Sequence, residues 1–164
     1  MRILTVLALL LTTATSAWSL DKPTGPVVLT VRGALTNANA GATAQFDMAM
    51  LDKLAGRTGR MQTPWTEGET EFKGPLLRAV LEAAGAKGNV LLVRALNDYF
   101  ATVPIEDATA HDTMLATRAN GKLLSVRDKG PLFLIYPFDL EPALYNEKYF
   151  SRSVWQIKEI EVQP

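Results

Sequence analysis

The chain contains no cysteine and only one histidine, His111. The first absence removes disulfides, thiolate metal ligands and a thiol nucleophile, so the hydrophobic core alone must hold the fold. The second removes any imidazole-based metal cluster within one chain. An excess of one charge is also missing: 17 basic residues balance 17 acidic ones, a surface with no pull toward nucleic acid or anionic lipid. Internal repeats, low-complexity tracts and long linkers are absent. So is a Gly-x-Ser-x-Gly elbow, and Ser125, Ser151 and Ser153 have no His-Asp partner motif, which leaves serine hydrolase chemistry unsupported.

The N-terminus is organised for export. Arg2 precedes an apolar run from Ile3 to Leu11, followed by small and polar residues, as in a secretory signal peptide. The run is roughly half of the ~20 residues that span a bilayer. Ala17-Trp18-Ser19 suits cleavage between Ser19 and Leu20, with Thr15-Ser16-Ala17 as a second site, and no cysteine follows to carry a lipid anchor. The expectation is a signal peptide over 1–19, a single domain over 20–164, no membrane span, and a periplasmic or secreted location. Loss of Arg2 leaves 16 basic against 17 acidic residues. The remaining 145 residues suffice for one domain with a proper core.

Period-two alternation of Val27, Leu29 and Val31 against Val28 and Thr30 predicts a strand that ends at Gly33. Asp47 caps a short helix through Leu54, with Phe46 stapled on Leu51 and Gly56 in the left-handed position after it. Pro75 to Ala84 reads as a helix: Pro75 in the first turn, a stripe of Leu76, Leu77, Val80, Leu81 and Ala84, an Arg78–Glu82 pair outside, and Gly85 closing it. Strands follow at Val90 to Leu96, Tyr99 to Val103, and Met114 to Arg118. An Asn120-Gly121 hairpin turn leads into another at Lys122 to Val126. Leu132 to Tyr136 has the apolar continuity of a central strand covered on both faces. Trp155 and Ile157 are out of phase with Ile160 and Val162, which predicts a bulge. Many strands with a few short helices make a mixed α+β domain.

Two acidic constellations invite a metal or acid reading. Glu67, Glu69 and Glu71 alternate, as solvated edge residues also do. Glu106, Asp107, His111 and Asp112 are the one cluster of mixed metal-competent side chains, although acids after Pro104 also suit a helix N-terminus. The aromatics Trp65, Tyr99, Phe133, Tyr136, Phe138, Tyr145, Tyr149, Phe150 and Trp155 crowd the loops and the C-terminal half, where they can wall a pocket for a planar ligand or serve as core.

The motifs occur in a telling order: TPW at Thr63 to Trp65, FKGPLL at Phe72 to Leu77, NDYFATVP at Asn97 to Pro104, LATRANGKLL at Leu115 to Leu124, RDKGPLFLIYP at Arg127 to Pro137, and SVWQIKEIEV at Ser153 to Val162. This succession resembles the molybdopterin-binding domain of the sulfite oxidase family, in its small, exported, cysteine-less branch. It covers nearly the whole chain from about Val27. The resemblance implies an α+β fold of mixed, curled β-structure with a few short helices at its edges. It also implies cofactor contacts. The family's cysteine ligand falls within Gly59 to Trp65, its histidine and arginine at Lys129 and Phe133, and its phosphate-facing basic residue near Trp155; none of these is retained here. Exported enzymes of that family carry the cofactor through a twin-arginine signal, whereas this signal has one arginine.

Three readings follow. The first is a non-catalytic periplasmic module, without catalytic or metal-binding residues, that binds a small anionic or planar ligand or a periplasmic protein partner. Its rim is expected at Trp65, Tyr99, Arg118, Arg127, Arg152 and Trp155, with the rings stacking and the arginines engaging anionic groups. Here no cofactor is expected, and molybdopterin enters only through the resemblance. The second is a molybdopterin-dependent oxidoreductase with non-cysteine ligation. The third is a structural subunit of an envelope or signalling complex, with the aromatic C-terminal half as its interface.

Overall fold

The computed structural model describes residues 20–164, so the expected signal peptide lies outside the described residues. In chain order the elements are β1 (Val27–Gly33), β2 (Ala44–Asp47), α1 (Met48–Lys53), β3 (Gly56–Gln62), β4 (Glu69–Pro75), α2 (Leu77–Ala83), β5 (Val90–Ala95), β6 (Phe100–Pro104), α3 (Glu106–Thr109), β7 (Met114–Ala116), β8 (Arg118–Ala119), β9 (Lys122–Leu123), β10 (Phe133–Ile135), α4 (Glu147–Phe150) and β11 (Ile157–Gln163). Long strands and short helices give the mixed α+β architecture expected.

The strands form three sheets. The largest has the order β2-β1-β11-β5-β6, in which β1 and β11 run parallel and bring the two ends of the described chain together. Its alternation places Leu29, Val31, Leu91, Val93, Ile160 and Val162 in the core. Arg32, Arg94 and Glu159 form an ion-pair ladder across β1, β5 and β11. The expected bulge is present as a register shift between Ile157 and Glu159, which lets Ile157, Ile160 and Val162 all be buried.

The second sheet, β3-β4-β8-β9, is antiparallel. Asn120 and Gly121 take φ 47° and 79° and close the β8–β9 hairpin as expected. β9 stops at Leu123 because Ser125 begins a 3-10 turn, Val126–Asp128. β7 and β10 make a two-stranded sheet beside it. A Cβ on Gly74 would lie 2.0 Å from the Leu115 carbonyl oxygen, so only glycine lets β4 approach β7 this closely. Leu132 to Tyr136 is fully buried, as expected. Its ladder, however, is β7 on one side and an isolated bridge to Trp155 on the other, rather than the middle of a broad sheet.

Three local expectations are corrected. The second helix starts at Leu77, since Pro75 ends β4 and the Leu77 amide donates to the Thr113 carbonyl. Arg78 pairs with Asp112 at 2.6 Å rather than with Glu82. Gly56 is not left-handed: it opens β3, where a Cβ would meet the Gly74 carbonyl oxygen at 2.5 Å, so close backbone approach is what requires glycine. The Asp47 cap does form. Its carboxylate accepts from the amides of Gly25, Met50 and Thr24, contacts that hold its pKa below the usual carboxylate range.

Candidate functional site

Two irregular segments face each other at one end of the large sheet. The β5–β6 turn passes through Asp98 at φ 66° and presents Tyr99, whose amide donates to the Asn97 side chain at 3.2 Å. Opposite lies α4, which Asn146 caps by accepting from the Lys148 amide at 3.0 Å. After α4 the chain reaches Gln156 at φ 55°, so Trp155 stands outside β11 and remains 39% exposed. Between the segments is a cleft of about 480 Å³, within the ~300–1,000 Å³ usual for small-molecule sites.

Trp65, Tyr99, Phe150 and Trp155 line this cleft together with Asn97, Glu147, Ser151 and Ser153. Trp65 meets Phe133, Phe150 and Trp155 edge-on, with centroids 5.4, 5.7 and 5.9 Å away. Phe133 and Trp155 complete the cluster at 6.0 Å, and Phe133 is fully buried. Tyr99 makes no ring contact among the described residues; its hydroxyl donates a long bond, 3.5 Å, to the Ser151 carbonyl. Glu147 has no ion pair among the described residues and is the one charged side chain in the lining.

A second polar cluster lies nearby, inside the protein. The buried Tyr136 hydroxyl donates to Asp107 Oδ2 at 2.6 Å, and Arg152 Nη1 donates to the same oxygen at 2.8 Å. Thr113 adds a bond from its hydroxyl to the Asp107 carbonyl at 2.6 Å. Burial, together with the anionic Asp107 acceptor, pushes the Tyr136 pKa far above its ordinary value. The acidic constellation expected around His111 is therefore divided. Asp107 belongs to this cluster, Asp112 pairs with Arg78, and His111 Nδ1 lies 2.8 Å from Glu141 Oε2. Glu69 and Glu71 lie on β4, where Glu71 lies 3.4 Å from Arg60.

Of the six residues expected at a pocket rim, Trp65, Tyr99 and Trp155 come together. The arginines do not join them. Arg118 makes two bonds to Asp52, at 2.6 and 2.9 Å, and Arg152 is engaged by Asp107. Arg127 lines a separate cleft of about 250 Å³ with Thr66 and Lys129. Arg118 and Arg152 are held by carboxylates, and Arg127 lies on the 3-10 turn of a different loop. Asn97, Glu147 and Ser151 were not expected in the lining, and Phe150 was expected only as one of the nine aromatics that could wall a pocket or serve as core. Local signals existed for two of them, an Asn-Asp turn at Asn97 and an Asn146 helix cap just before Glu147.

The chain matches the model of the oxidoreductase molybdopterin-binding domain over residues 40–164. It belongs to that family. No curated protein matches it. The family binds molybdopterin, and its framework is present here; the side chains do not fit a molybdenum centre. The stretch Gly59 to Trp65 offers no cysteine thiolate; its one sulfur is the thioether of Met61, buried in the core, and the hydroxyls of Thr63 and Thr66 are bonded to each other at 2.8 Å. Among the described residues no group of three or more His, Asp or Glu is placed to hold a metal. Phe133, at the position the resemblance gives to a cofactor-reaching arginine, is an apolar ring buried against Trp65 and Trp155, and the basic side chains beside it, Arg127 and Lys129, line the neighbouring cleft.

Proposed function

We propose that this member of the molybdopterin-binding domain family is a non-catalytic binding module of the periplasm, exported through the N-terminal signal. The aromatic cleft of Trp65, Tyr99, Phe150 and Trp155 is its ligand site. The observation that carries this reading is the loss of the family's thiolate ligand from a chain that keeps the family framework. A soft sulfur donor both anchors and tunes such a metal, and hydroxyl or carboxylate oxygens make a different site. The cleft supports a planar or compact ligand, since ring walls bind through area and face contacts at low entropic cost. An acid and an amide at its edge add polar selectivity.

The test is elemental analysis and pterin fluorimetry on protein isolated from its own host, with subcellular fractionation of the same cells. The expected result is chain in the periplasmic fraction carrying substoichiometric molybdenum and no pterin. One molybdenum and one pterin per chain would replace this reading with that of an oxidoreductase.

A further inference from the structure

We propose that the cleft between the β5–β6 turn and α4 takes an organic cation, either a quaternary ammonium or a flat pyridinium-type ring. This names the ligand class of the binding-module reading and rests on it. Four aromatic side chains from three stretches of the chain converge there: Trp65, Tyr99, and Phe150 with Trp155. Their mutual contacts are edge-on, and Tyr99 has no ring partner among the described residues. Such a lining suits a cation, because the ring quadrupole puts negative potential on each face.

Charge complementarity decides between a cation and other ligands of the same size. Glu147 is the single charged residue of the lining and has no ion pair among the described residues. The basic groups nearby are engaged or lie elsewhere. Arg152 is bound to Asp107 at 2.8 Å, Lys158 to Asp98 at 2.7 Å, and the Lys148 ammonium lies 4.9 Å from the Tyr149 ring. Lys129, 6.0 Å from the Trp155 ring centroid, lines the neighbouring cleft. An anion would thus meet Glu147 with no lining cation to offset it. A neutral ligand of equal shape would use the rings and leave the carboxylate unmatched. The charge preference is opposite to that of a phosphate-bearing pterin.

The experiment titrates the purified, metal-free protein with choline, N-methylpyridinium, the neutral choline isostere 3,3-dimethylbutan-1-ol, and benzoate, by tryptophan fluorescence and calorimetry. At least one of the two cations should bind saturably, the neutral isostere about fivefold or more weaker than choline, and benzoate not at all. The substitution Glu147→Gln should remove most of the preference for choline over its isostere. Equal binding of choline and isostere, tighter binding of benzoate, or no saturable binding of either cation would overturn the proposal. Should Glu147→Gln fail to fold, the choline-to-isostere ratio on the native protein decides alone. Failure of the parent reading is distinguishable, since that would appear as molybdenum and pterin in the native protein, whereas anion preference in a metal-free protein overturns only the ligand class.

Discussion

The segment from Glu147 to Trp155 serves two regions of opposite character. Arg152 turns to the buried Asp107–Tyr136 cluster, and Tyr149 packs edge-on against Tyr136 at 4.9 Å. Glu147, Phe150, Ser151 and Trp155 line the open aromatic cleft. Both regions combine rings with an acid. They differ in saturation. Asp107 has donors from two side chains and lies in the interior, while Glu147 has no ionic partner among the described residues and lies at a cleft. Buried polar groups need partners to remain buried. A satisfied cluster therefore reads as architecture, and an acid without a counter-ion beside exposed rings reads as a site.

The largest effect should come from taking the acceptor out of the closed cluster. Asp107→Ala leaves Arg152 and the Tyr136 hydroxyl without their shared oxygen and should cost about 3 to 5 kcal/mol in urea denaturation. A loss under about 1 kcal/mol would erase the distinction between the two regions. Phe133→Ala should cost about 3 kcal/mol by opening a cavity between Trp65, Phe72 and Trp155, with a red shift in tryptophan emission.

Tyr136→Phe should cost about 2 kcal/mol, the worth of a hydrogen bond to a charged acceptor. In the parent protein, an absorbance titration compared with that of Tyr136→Phe should find the Tyr136 hydroxyl protonated until unfolding. Because the folded pKa of Tyr136 is raised, its contribution is fully present below the unfolded value near ~10 and declines as pH rises above it. Tyr136→Phe should flatten that alkaline slope. Trp155→Ala acts on the open region: about 1 kcal/mol of stability, given its partial exposure, but loss of ligand binding in the cleft. The smallest effect belongs to Arg118→Ala, about 0.5 kcal/mol for a partly exposed ion pair with Asp52, with cleft binding unaltered. A drop in binding there would show that the cleft recruits a cation from outside its lining.

What could be read in the sequence was local. The Asp47 cap, the Asn120-Gly121 turn, the bulge near Ile157 and the burial of Leu132 to Tyr136 each follow from a few neighbouring residues, and each is present. Gly56 and Pro75 were misread for the same reason. Each suits a helix end when only its neighbours are considered, yet β3 and β4 lie side by side there, pairing Gly56 with Pro75. The three aromatic rim residues were legible because rings are few and cluster in the motif order. The arginines were not, because an arginine's partner is set by whichever carboxylate folding brings near: Asp52 is 66 residues from Arg118, and Asp107 is 45 from Arg152.

The amino-acid sequence alone determined the periodicities of the strands, the turn chemistry and, through its lack of cysteine, that no thiolate can anchor a metal here. These depend on single side chains or on neighbours along the chain. Only the tertiary structure decided that β1 lies parallel to β11, that the acidic cluster near His111 is shared among three different partners, and that Trp65, Tyr99 and Trp155 surround one cleft with Glu147 while the arginines lie outside it. Those arrangements depend on contacts between distant segments, whose partners are chosen by the packing of the whole core rather than by any local pattern.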